Sequence, residues 1–83
     1  MWIRSQDKEL LRNVNRSIEI IKYEGEKYTT ILGDGCHLGV YSTKEKAMEV
    51  LNDIYFRIKY ADIDEVLVYE MPKDEDVEVW QKN

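Results

Sequence analysis

Residues 36–58 read CHLGVYSTKEKAMEVLNDIYFRI, and their hydrophobic rhythm changes at Ser42. Up to Tyr41 the residues alternate as in a β-strand, with Cys36, Leu38 and Val40 on one face and His37, Gly39 and Tyr41 on the other. After Ser42, residues Ala47, Leu51, Ile54 and Ile58 recur at the spacing of a helix with one buried stripe. Ser42 and Glu45 are spaced as a capping box, in which the serine hydroxyl accepts from the Glu45 amide and the carboxylate reaches back. The predicted helix runs from about Thr43 to about Tyr60.

Working outward, the remaining apolar runs are short and bounded by turn residues. Met1–Arg4, Leu10–Asn15, Ser17–Tyr23 and Tyr28–Leu32 read as strands before the switch, with a bulge expected near Ile20–Ile21. Glu24-Gly25-Glu26 and Gly33-Asp34-Gly35 read as hairpin turns. Beyond the helix, Glu65–Met71 reads as a last strand, ended by Pro72, which cannot donate to a ladder. The fold class is therefore α+β: an antiparallel sheet of four to six strands with one helix packed on one face. Its expected core is Ile18, Ile20, Ile31, Leu38, Val40, Ala47, Leu51, Ile54, Ile58, Val66 and Val68.

At 83 residues the chain makes one domain, read as a body over 1–72 and an acidic tail over 73–83. A core this small and a single cysteine favour oligomerisation as a source of further buried area, so a homo-oligomer is expected. The opening lacks an apolar signal segment and no run is long enough to span a membrane, which with the lone thiol points to the cytoplasm. The net charge of −5 is uneven: residues 62–78 hold eight acids against Lys73, while residues 1–61 hold nine acids against ten bases. An acidic balance of this kind disfavours direct binding to nucleic acid, which needs a basic face.

Catalysis needs convergent groups, and the chain offers few. Cys36 and His37 are neighbours on a strand and point to opposite faces, so they form no thiolate pair. They also lack the spaced partners of a metal site, and no DxDxDG loop is present, so neither metal nor cofactor is expected. Gly33-Asp34-Gly35 is a turn rather than a phosphate loop. A non-enzymatic role follows. Two clusters remain as binding candidates. Trp2, Arg4, Gln6, Arg12 and Arg16, joined by His37, combine an aromatic ring, an amide and guanidinium groups able to stack a base and fork a phosphate. Asp62, Asp64, Glu65, Asp74, Glu75 and Asp76 with Trp80 form an acidic surface fitted to a basic protein partner.

The opening Met1-Trp2-Ile3-Arg4-Ser5-Gln6-Asp7-Lys8, the stretch Leu38-Gly39-Val40-Tyr41-Ser42-Thr43-Lys44-Glu45-Lys46-Ala47 and the closing Met71-Pro72-Lys73-Asp74 resemble small phage, prophage and mobile-element proteins of Gram-positive bacteria. The resemblance implies an origin more than an activity. It implies a bacterial host cell and an accessory role, and assigns no residue a part. Three functions are consistent with it. The first is a counter-defence protein that sequesters a small nucleotide signal between protomers. The second is an acidic, DNA-mimic-like inhibitor of a host protein, and the third a phage regulatory or structural module.

Overall fold

The computed structural model describes residues 1–61 and 68–79. Six strands and one helix follow in the order β1 (Trp2–Arg4), β2 (Leu11–Asn13), β3 (Ile18–Ile21), β4 (Thr29–Gly33), β5 (Cys36–Tyr41), α1 (Lys44–Lys59) and β6 (Val68–Glu70). A short 3₁₀ turn, Asp74–Asp76, comes last. The class is α+β, but the strands divide into two three-stranded sheets, ordered β2-β1-β6 and β3-β4-β5. β6 runs parallel to β1, with Ile3 opposite Tyr69, so the expectation of a purely antiparallel sheet is corrected there. The helix packs across β3, β4 and β5. Among the described residues no helix is long and apolar enough to cross a membrane.

The two sheets are stitched together by the segment that follows β1. The Gln6 backbone amide donates to Leu38 O of β5 at 2.7 Å, while Met71 N, donating to Arg4 O at 3.0 Å, extends the β1–β6 pairing within its own sheet. The core lies where the sheets and helix meet, and holds Ile3, Val14, Ile31, Leu38, Tyr41, Ala47, Val50, Ile54, Tyr69 and Met71. At Gly33 the closeness of packing excludes a side chain, since a β-carbon there would lie 2.6 Å from Leu38 Cδ1 and 2.9 Å from Val14 Cγ2.

Strand periodicity misplaced part of this core. The β4–β5 ladder slips between Ile31 and Leu32, which pair with Gly39 and His37 and leave Leu38 as the extra residue. A bulge of this kind inverts the alternation beyond it. Tyr41 is therefore buried and Val40 is 39 % exposed, the reverse of the simple reading. The expected bulge at Ile20–Ile21 is absent, for β3 pairs with β4 residue by residue. Ile18, Ile20 and Leu51 are half-buried, Ile58 and Val68 are exposed, and Val66 falls outside the described residues. Cys36, which the alternation sets on one face with the core residue Leu38, is half-buried.

The helix start also differs from the capping box. Thr43 is the N-cap, its Oγ1 accepting from Lys46 N at 3.1 Å. Ser42 is engaged elsewhere: its amide and hydroxyl donate to Asp74 Oδ1 at 2.8 and 3.1 Å. At the other end Arg57 and Lys59 occupy the last turn, where cations are favoured by the helix dipole.

Candidate functional site

The amino-terminal residues singled out for ligand binding do not converge. Trp2 and Arg4 lie on one face of the β2-β1-β6 sheet, and Arg12, paired with Ile3, lies on the other. Arg4 NH1 stands 3.3 Å from Glu70 Oε1, and Lys8 Nζ stands 3.5 Å from Glu70 Oε2. Such exposed pairs contribute about 0–1 kcal/mol. Gln6 turns its amide to the backbone: Oε1 accepts from Val40 N at 2.9 Å and Nε2 donates to Val40 O at 3.0 Å and Pro72 O at 3.3 Å. Arg12 Nε is buried without a hydrogen-bond partner among the described residues. His37 is exposed on β5 opposite Leu32.

Of the six, Arg16 lines a cleft beside the helix. The connection between β2 and β3 stands away from the distal half of α1 and leaves a cleft of about 470 Å³. Leu51, Ile54, Tyr55 and Ile58 form the helix wall, faced by Val14 and Ile18. Asn15, Arg16, Ser17 and Asn52 add polar groups to the mainly apolar walls, and Met1, whose α-ammonium donates to Asn13 Oδ1 at 3.1 Å and Val14 O at 3.3 Å, lines the cleft as well. The volume falls within the range of small-molecule sites, roughly 300–1,000 Å³. The helical stripe marks Ile58 as a core residue and singles out no role for Tyr55; their shared cleft depends on where residues 14–18 cross it, which no local pattern reveals.

That crossing is fixed by Asp34. In the two-residue turn between β4 and β5, Asp34 and Gly35 both take positive φ, 49° and 82°, as a type I′ hairpin requires. This aims the carboxylate at the β2–β3 connection, where it accepts from the amides of Asn15 (2.8 Å), Arg16 (2.8 Å) and Ser17 (3.0 Å). These bonds, that from Asn15 foremost, hold the Asp34 carboxyl below its ordinary value of 3.8, with the charge of Arg12 adding to them. Asp74 is lowered in the same way, chiefly by the Ser42 amide. Both groups have folded pKa values below the unfolded ones, so their contribution is complete above the unfolded pKa and is lost as pH falls through the folded pKa. Urea midpoints are therefore expected to hold from pH 7 to about pH 5 and to fall below about pH 4. Asp34→Asn should flatten that acid limb, as followed by circular dichroism across the same range.

The acidic surface is divided as well. Asp74 faces inward to Ser42, and Lys46 donates to Asp74 O at 2.9 Å. Glu75 and Asp76 are exposed. Asp62, Asp64, Glu65 and Trp80 lie outside the described residues. On the flank of α1 away from the cleft, Tyr69 OH donates to Asp53 Oδ2 at 2.8 Å, and Arg57 lies 5.9 Å from the Tyr69 ring centre. Burial, and then Asp53, push the Tyr69 phenol well above its ordinary value, so it stays a neutral tether between helix and sheet.

Fold and cavity together define a small α+β domain with a lateral cleft beside its single helix. The chain belongs to the family described as Domain of unknown function (DUF7336), whose model matches residues 28–80. The helix wall of the cleft lies inside that stretch, and Asn15–Ile18 lie before it. Neither a curated protein nor a solved structure matches the chain.

Proposed function

We propose that the chain is a non-enzymatic binding protein that captures a small nucleotide in the cleft between α1 and the β2–β3 connection. The observation that carries this reading is the composition of the cleft: apolar walls and a tyrosine for a base, amides for its edge, and the Arg16 guanidinium for phosphate. The likeness to small phage proteins gives such capture a role, the removal of a nucleotide signal from a bacterial host as a counter-defence. A homo-oligomer remains part of the proposal, since a second copy would add buried area to a small core.

Calorimetry of the full chain against a panel of mono-, cyclic di- and cyclic trinucleotides tests it. At least one member is expected to bind, and Arg16→Ala to weaken it by about tenfold or more, the effect of losing a charge-assisted contact. Tyr55→Ala should weaken the same ligand by about 1–3 kcal/mol if its ring stacks on the base. An absence of heat with the whole panel would end the reading. The acidic inhibitor is favoured instead by the exposed Glu75 and Asp76. Charge reversal at Glu75, Asp76 and Glu78 tests it better than truncation, because truncation after Lys73 also removes the Asp74 bonds to Ser42.

A further inference from the structure

Resting on the homo-oligomer of that reading and not on its nucleotide, we infer that two copies of the chain pair antiparallel through the outer face of α1. Ala47, Val50 and Ile54 turn one side of the helix into the core. Helical spacing puts Glu45, Met48, Glu49, Asn52, Phe56 and Lys59 on the opposite side. All are exposed except the half-buried Glu49. Both glutamates and Met48 lie in the first half of this face, and Phe56 and Lys59 in the second. Tyr55 flanks the second half, 5.5 Å from the Phe56 ring, and the Lys59 ammonium lies 5.7 Å from the Tyr55 ring centre. A parallel copy would set like beside like, glutamate against glutamate and lysine against lysine. An antiparallel copy sets the glutamates of each protomer beside the partner's Lys59, and Met48 beside the partner's aromatic pair. Each contact is made twice by symmetry. A slip of one turn keeps the match, because Glu45 and Glu49 are themselves one turn apart. Opposed helix dipoles act in the same sense.

Size sets the strength of this pairing. Phe56, 52 % exposed, and Met48, 39 % exposed, supply its apolar centre. A helix of 16 residues is about 24 Å long. One such face covers less than the roughly 800 Å² per partner of a standard interface, so the dimer is weak, with a Kd on the order of tens of micromolar. Asn52 and Tyr55 also line the cleft, so the paired copy stands beside its mouth.

Sedimentation velocity of the full chain from about 1 to about 200 µM tests the pairing. The unmodified chain is expected to pass from monomer to dimer across that range. Lys59→Glu turns attractive contacts into repulsive ones on both sides of the axis and should weaken the dimer by about tenfold or more. Phe56→Asp should do the same, by setting a carboxylate against the partner's glutamates and Met48. Lys59 and Phe56 are exposed, so circular dichroism should show the same helix in both variants. The double variant Glu45→Lys, Glu49→Lys should be monomeric alone, yet dimerise when mixed with an equal amount of Lys59→Glu, since every lysine of the face then meets a glutamate. Lys59→Glu dimerising as tightly as the unmodified chain overturns the antiparallel pairing and leaves the homo-oligomer to another surface. Failure of the mixture to dimerise overturns it as well. A monomer at every concentration overturns both the pairing and the homo-oligomer, and leaves the face to a different partner. The nucleotide in the cleft is judged separately, by calorimetry.

Discussion

Replacing Ile54 by alanine is expected to lower the unfolding free energy by about 2–5 kcal/mol, the cost of emptying a packed site in a core. Ile54 is 1 % exposed and belongs to the central cluster with Ala47 and Val50 of the same helix. Domains in general are stable by about 5–15 kcal/mol, and a chain this small belongs towards the lower end, so the change removes a large share of the margin. Ile54→Val should cost about 0.5–1.5 kcal/mol, since only one methyl is lost. Ile58→Ala provides the comparison. The helical spacing places Ile58 on the same stripe, yet it is 55 % exposed, and its truncation should cost less than about 0.5 kcal/mol. Urea unfolding at 25 °C, with the slope unchanged across the three variants, measures each difference. A cost at Ile58 equal to that at Ile54 would mean that the distal helix is covered in solution by a second copy or a partner. Ile54 also lines the cleft, so the folded fraction of Ile54→Ala should bind its ligand less tightly than the unmodified chain.

The difference between Ile54 and Ile58 shows what local pattern carries and where it ends. Elements, turns and the helix are written in residue type: Gly25 and Gly35 both take φ of 82°, and Thr29–Gly33 is rich in β-formers. A stripe of the right period fixes a helix and a face, but not how far the neighbouring layer extends beneath it. Ile54 reaches the core where the helix meets the sheet, whereas Ile58, one turn further on, is 55 % exposed and lines the cleft left by residues 14–18. The bulge at Leu38 was equally hidden, because one extra residue alters no local propensity while it exchanges the faces of Val40 and Tyr41.

Long-range contacts account for the remaining differences. Ser42 and Glu45 satisfy a local capping rule, but Asp74 lies 32 residues away and takes the Ser42 donors, leaving the cap to Thr43. The parallel pairing of β1 with β6 joins the two ends of the described chain and has no sequence signature. The candidate site depends on the same kind of contact. The sequence shows Arg16 as a cation following an opening that holds Trp2, whereas its place beside Tyr55 in the cleft lining follows from the grip of Asp34 on residues 15–17.

Gln6 gives the sharpest contrast between a ligand role and a structural one, and its variants are expected to fall in an unusual order, with glutamate worse than alanine. Gln6→Ala removes three hydrogen bonds, two to Val40 and one to Pro72, and opens the seam between the sheets. Water can reach Val40, so the loss should be about 1–2 kcal/mol. Gln6→Glu retains the acceptor for Val40 N but sets a carboxylate oxygen where Nε2 donated, facing Val40 O and Pro72 O at 3.0 and 3.3 Å. Three acceptors then converge with no proton between them, and the loss at pH 7 should exceed that of alanine by about 1–2 kcal/mol. Protonation supplies the missing donor. The folded-state pKa of the new carboxyl must therefore lie above its unfolded value near 4.3, so its penalty is absent below that value and grows as pH rises through the folded pKa. Between pH 4 and pH 7 the urea midpoint of Gln6→Glu should fall relative to Gln6→Ala. Over the same interval the unmodified chain should hold or gain stability through Asp34 and Asp74. The affinity of folded Gln6→Ala for the cleft ligand should stay within about twofold, a difference below 0.5 kcal/mol. A selective loss of affinity with stability intact would return Gln6 to the binding site and move that site from the α1 cleft to the β1–β5 seam.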